Sequence, residues 1–150
     1  MNIFFSSRVP GESRMALEKL LFFNPRQHRV RQGILNSLHD FGHPQLVETA
    51  GGGLSVRVGE HEAQTLYAFD RDRRSKDPVG VVVFLRTRPE EIAIMHVAVH
   101  PKYALRGERA GVGLGVGLVE KVKEIASRIV GVQRIVFVYR QEVVIRLKGL

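Results

Sequence analysis

Four glycines at alternate positions, Gly111, Gly113, Gly115 and Gly117, open the stretch AGVGLGVGLVEKVKEIA. An amphipathic helical pattern follows at once. Glycine costs about 0.5–1 kcal/mol relative to alanine inside a helix and is normally kept to its edges. A strand that ends in a glycine-rich turn and opens into a helix leaves the first helical N–H groups without intrahelical partners, at the positive end of the helix dipole. With no Cβ in the way, a phosphate can approach that backbone closely. The run therefore predicts either an anion cradle or a close approach of helix to sheet, and Gly117 is the glycine best suited to packing alone. Lys102, Arg106 and Arg109 lie just upstream and add positive charge.

The rest of the chain limits what can surround this helix start. Its 150 residues, 44% of them hydrophobic, suit one packed domain over 1–150, and no linker divides it. There is no cysteine, which removes disulfides, thiolate nucleophiles and cysteine-ligated zinc together. Six histidines form no compact ligand set with carboxylates, so no metal is expected. No G-x-S-x-G elbow marks a serine nucleophile. The longest apolar run, VGVVVFL, is strand length and far short of the ~20 residues of a membrane span. The first residues lack the basic start, apolar run and cleavage site of a signal peptide. The expectation is a cytoplasmic protein with no membrane partner. A formal net charge of +8 favours anionic partners, or serves solubility alone.

Periodicity predicts a mixed order of elements. MNIFF reads as a short first strand. SRMALEKLLFF has Met15, Leu17, Leu20 and Leu21 near helical spacing, with Ser13 as its N-cap. NPRQHRVRQGILNSLHDFG reads as a second helix, capped by Asn24 with Pro25 at its first position and Gly42 at its end. HPQLVETAGGG reads as a breaker-rich connection. LSVRV and TLYAF follow as strands. VGVVVFLRTR and IAIMHVAVHP form an antiparallel hairpin, the second strand central because it is apolar on both faces. After the glycine-started helix, which runs to about Arg128, RIVFVY is a strand and EVVIRL a further one.

Two familiar phosphate loops do not fit. A Walker A loop needs Lys-Ser/Thr after its glycines, and none follows. The dinucleotide fingerprint is G-x-G-x-x-G early in an alternating βαβ run, whereas this run is G-x-G-x-G-x-G and follows a meander. A third kind of loop, one for the pyrophosphate of coenzyme A, does fit. The segment from Val79–Gly80 through His96-Val97-Ala98-Val99-His100-Pro101 and Tyr103 to Gly113-Leu114-Gly115, with Leu118 and Val119 as the helix's apolar pair, resembles the GNAT superfamily of N-acetyltransferases. The resemblance covers Thr65 to about Tyr139 and implies an α+β fold, a central, mostly antiparallel twisted sheet flanked by helices. It departs from the family pattern at Ala110, where an Arg or Gln is usual and Arg109 is the neighbour, and in ALRGE, which reads as an insertion.

The resemblance implies acetyl-CoA as co-substrate and direct transfer of its acetyl group to the primary amine of an unknown acceptor. The cofactor would lie along the backbone of Val97, Ala98 and Val99, with its pyrophosphate on Arg109, Ala110, Gly111, Val112, Gly113, Leu114 and Gly115. Such a transfer needs a base for the amine, a donor for the oxyanion and a proton for the leaving thiolate. Glu90, Glu91 and His96 are the candidate bases. Strand alternation puts Glu91 on the face of Ala93, Met95, Val97 and Val99 and His96 on the other, if no bulge intervenes. The same residues also read as a solvated turn and a buried histidine. The family's tyrosine-bearing helix has no counterpart here, and Tyr139, at the end of a strand, is the candidate acid. The alternative is a catalytically reduced GNAT-like module that binds acyl-CoA or a protein partner. Nucleic acid is not the expected partner, since Arg26, Arg29 and Arg31 stand without an aromatic RNA motif or a zinc finger. EVVIRL, as an exposed last strand, can pair across a homodimer.

Overall fold

The computed structural model describes residues 2–22, 44–103, 113–138 and 140–147. In chain order they form β1 (Ile3–Ser6), α1 (Arg14–Phe22), β2 (Pro44–Glu48), β3 (Leu54–Val58), β4 (His61–Asp70), β5 (Gly80–Arg88), β6 (Glu91–Val99), α2 (Leu114–Ser127), β7 (Arg134–Phe137) and β8 (Arg140–Arg146). Short 3-10 turns, Gly11–Ser13 and Pro101–Tyr103, precede α1 and follow β6. The strands make one sheet in the order β2-β3-β4-β5-β6-β7-β8, with β1 paired to β4. Every ladder is antiparallel except β6–β7, which is parallel. A parallel pair needs a crossover, and α2 provides it. This is the α+β class expected from the sequence.

Most of the expected elements are present. The predicted helix over 24–42 lies outside the described residues. One reading is corrected: the segment taken as a breaker-rich connection holds β2, paired residue for residue with β3 from Pro44↔Val58 to Glu48↔Leu54. Its proline sits at the first position of an edge strand, where no ladder N–H is required. The glycines that signal a break lie just beyond, in the turn between β2 and β3, where Gly52 has φ +81°. Ser13, read as the N-cap of α1, directly precedes Arg14 as the last residue of the 3-10 turn and is buried.

The sheet carries a hydrophobic layer on each face. Under α1, Leu17, Leu20 and Leu21 meet Val81, Val83, Ala93 and Ala98. Under α2, Leu114, Leu118, Val122 and Ala126 recur every fourth residue and meet Val82, Ile92, Ile94 and Ile135. Each fully buried aliphatic side chain of this kind contributes about 1.5–3 kcal/mol.

The seat of α2 depends on a missing side chain. A Cβ built on Gly80 would lie 3.0 Å from Leu118 Cδ1, 3.4 Å from Leu114 Cδ2 and 3.5 Å from the Ala98 carbonyl oxygen. Leu118 is fully buried and cannot swing away. Gly80→Ala is therefore expected to destabilise the fold by about 1–3 kcal/mol through overpacking. Urea unfolding should show a lower midpoint at an unchanged slope.

Candidate functional site

The chemistry predicted for this chain centres on β6, and β6 is irregular in two ways at one place. On its β5 side, Val83 pairs with His96 while the next residue, Phe84, pairs with Ile94. Met95 is thus an extra residue, a β-bulge. On its other side, the parallel ladder to β7 runs from Glu91↔Arg134 to Ile94↔Phe137 and stops. One further bond, Val138 N–H to the Ile94 carbonyl at 3.0 Å, closes the seam. β6 continues to Val99, so Met95 to Ala98 have no ladder partner on that side among the described residues. Three steps of strand, from Met95 to Ala98, make the opening about 10 Å long.

The seam is clamped at its closed end. Arg134 Nε donates to Glu91 Oε1 at 3.1 Å, and its Nη2 to Glu90 Oε1 at 3.3 Å. Thr87 Oγ1 donates to Glu91 Oε2 at 2.9 Å. Both carboxylate oxygens of Glu91 are therefore engaged, about 20 Å along the strand from Val97.

The bulge also re-phases the strand. Before it, Ala93 faces α1, and Ile92 and Ile94 face α2; beyond it, Ala98 faces α1 while Val97 and Val99 pack on the α2 side. The alternation expected without a bulge is overturned. Glu91 does not share a face with Val97 and Val99. His96, paired with the α1-facing Val83, lies on the same face as Ala93. Its Nε2 is buried with no hydrogen-bond partner among the described residues, and Tyr67 Oη, on the same face, is the other such atom. Burial lowers the His96 pKa from 6.5 to about 4, so the imidazole is neutral at physiological pH.

The start of α2 stands next to the open half of β6. Gly113, the N-cap, has φ +61° and ψ +44°, a left-handed conformation that glycine adopts without strain. Its carbonyl accepts the first helical bond, from Gly117 N–H at 2.9 Å. No atom of the described residues lies within 4 Å of a Cβ built there. A Cβ on Gly115 would touch Val99 Cγ2 at 3.6 Å, and one on Gly117 would touch Phe5 Cζ at 3.7 Å. These are ordinary contacts, so close packing does not demand glycine at either position. Of the predicted cofactor-binding residues, Val97, Ala98, Val99, Gly113, Leu114 and Gly115 come together at one end of the sheet. Arg109, Ala110, Gly111 and Val112 lie outside the described residues, as does Tyr139.

Two structural residues escaped the sequence reading. Asp70, buried at the end of β4, accepts from Asn2 N–H at 3.2 Å, from Asp72 N–H at 3.0 Å and from the Tyr103 hydroxyl. This ties the chain leaving β6 back to the sheet. The only trace in the sequence is a lone aspartate closing an apolar strand. Arg134, which clamps the seam, gave no signal at all, because its partners are 43 and 44 residues away. His100 is fixed locally: its N–H donates to Val79 O at 2.8 Å and its Nδ1 accepts from Lys102 N–H at 3.2 Å.

No family model and no curated protein matches the sequence. Solved structures do. An IAA acetyltransferase from Bacillus cereus ATCC 14579 matches with 20% identity and a TM-score of 0.40, over 91% of this chain and 65% of that one. A protein from Desulfovibrio desulfuricans, described as a GNAT-family acetyltransferase, matches with 19% identity and a TM-score of 0.46, over 90% and 72%. The ribosomal-protein-S18-alanine N-acetyltransferase from Escherichia coli matches with 16% identity and a TM-score of 0.47, over 90% and 65%. This chain thus spans less than two thirds of the length of the first and the third. Among the described residues there is no cluster of metal-ligating side chains, and no helix is long and apolar enough to cross a membrane.

The buried histidine gives the fold an acid sensitivity. The folded state keeps His96 neutral down to about pH 4, whereas the unfolded chain protonates it near 6.5. Between those values the unfolded state binds more protons, so stability falls as pH drops through the window and levels off below it. His96→Leu is expected to flatten that slope, measured as the urea midpoint against pH. Tyr103→Phe removes one hydrogen bond to the buried Asp70 carboxylate and is expected to cost about 1–3 kcal/mol in the same assay.

Proposed function

We propose that this chain is an acetyl-CoA-dependent N-acetyltransferase that passes an acetyl group directly to the primary amine of an acceptor. The observation that carries the reading is the opening of β6 from β7 beyond Ile94, with the Met95 bulge beside it and the left-handed glycine start of α2 at Gly113 next to the same end of the strand. An extended strand without a ladder partner offers main-chain groups to an extended ligand, as a sheet edge does to an added strand. A helix N-terminus with a left-handed glycine offers N–H groups and a positive dipole to a diphosphate. Acetyl-CoA has both parts, an amide-bearing arm and a diphosphate.

When bound, acetyl-CoA supplies the activated acyl group. Val97, Ala98 and Val99 orient its arm along the opening, and Gly113, Leu114 and Gly115 hold the diphosphate, completed by Arg109, Ala110, Gly111 and Val112. The acceptor reaches the opening from the α1 face. There His96 offers a neutral imidazole that can take the proton leaving the amine. The engagement of both Glu91 oxygens supports His96 over Glu91 in that role. Tyr139 follows Val138, whose N–H makes the last bond of the seam, and is the proposed donor to the departing sulfur. No side-chain nucleophile is needed, which suits a chain without cysteine.

Isothermal titration with acetyl-CoA should give saturable binding and raise the melting temperature. Gly113→Val forces a β-branched residue into the left-handed region at a cost of about 1–3 kcal/mol. It is expected to weaken acetyl-CoA binding about tenfold or more. Absence of heat and of any thermal shift at millimolar acetyl-CoA overturns the reading. Binding without thiol release across a panel of primary amines identifies a binding module instead of a transferase.

A further inference from the structure

On the α1 side of the sheet, at the end where β6 finishes, lies a cavity of about 750 Å³, within the range of small-molecule sites. One wall is a single face of the N-terminal helical segment: Glu12, Met15, Ala16, Lys19 and Leu20 follow the i, i+3, i+4, i+7, i+8 spacing. The opposite wall is the turn between β4 and β5, through Arg73, Asp77 and Pro78. His100 and Pro101 form the floor.

The charges of this cavity are balanced and unspent. Lys19 and Arg73 bring two cations, and Glu12 and Asp77 two anions. None of the four side chains has a hydrogen-bond or ion-pair partner among the described residues, although the exposed pairs Arg14–Glu18 and Lys121–Glu124 show that neighbouring charges elsewhere do meet. A simple anion here would face Glu12 and Asp77, and a simple cation would face Lys19 and Arg73. A ligand carrying both charges satisfies both sets. The remaining lining is apolar, and Met15, with 71% of its surface exposed, stands ready to cover an apolar body. His100 is held neutral by burial first, and then by the positive charges of Arg73 and Lys102. It adds a hydrogen-bonding group without disturbing the balance.

We propose that this cavity binds a zwitterion with an apolar body, an amino acid or short peptide whose carboxylate is held by Arg73 and whose ammonium is held by Asp77. Arg73 suits the carboxylate because its planar fork can donate two parallel hydrogen bonds. The cavity adjoins the end of β6 but shares no lining residue with the β6–β7 opening, and the proposal does not depend on the acyl-transfer reading.

Amide NMR of the full chain, titrated with leucine, tests this. Leucine should shift the amides of Ala16, Leu20 and His100. Leucinamide, which lacks the carboxylate, and N-acetylleucine, which lacks the ammonium, should each bind about tenfold more weakly, the loss of one charge-assisted hydrogen-bonded pair. Arg73→Gln should abolish discrimination against leucinamide alone, and Asp77→Asn discrimination against N-acetylleucine alone. If leucyl-leucine binds more tightly than leucine, the charge spacing is that of a peptide rather than a free amino acid, and the assignment stands. No shifts at millimolar leucine or leucyl-leucine, or equal binding of all three leucine derivatives, overturns it. Acetyl-CoA, read in the same spectra at Gly113 to Val116, reports on the other site separately.

Discussion

A four-residue parallel seam between β6 and β7 sets the geometry of this molecule. It is the only parallel ladder among the described residues, so it is where the crossover helix must return to the sheet. Arg134, reaching both Glu90 and Glu91, fixes the closed end. Partly buried ion pairs like this add little net stability, but they define register, because sliding the strand by one residue would strand the carboxylates without a partner. Register at Glu91 then determines that pairing ends at Ile94. The clamp sets the register and β7 ends at Phe137, and together these place the opening beyond Ile94.

The two faces of the sheet take different tasks from this arrangement. α2 lies on one of them, drawn in by the absence of a side chain at Gly80, and this brings its glycine start beside Val99. α1 covers the other with leucines, and there the sheet buries His96 Nε2 without a hydrogen-bond partner among the described residues. An unpaired buried polar group costs about 1–3 kcal/mol.

Much of this was legible in the residues. Alternation and breakers located β3, β4, β5, β6 and β8, and the spacing of Leu114, Leu118 and Val122 located α2. What failed was local. The glycines after β2 masked a strand because turn chemistry spoke louder than its short VE-ended apolar pair, Leu46 and Val47. The faces of β6 were misassigned because alternation assumes one residue per step, and nothing in IAIMHVAV marks Met95 as the extra one. Arg134 and Asp70 were invisible because their partners are distant in the chain, and long-range pairing of single charges leaves no periodic trace.

The extra residue in β6 has a consequence for how such a chain can vary over time. Its two halves are out of step, so each half obeys its own alternation of large and small side chains. Loss of the Met95 codon would join Ile94 directly to His96 and restore one continuous rhythm, with every other residue keeping its face and only the bulge removed. The strand thus carries one residue more than its β5 partner requires, placed at the point where β6 parts from β7.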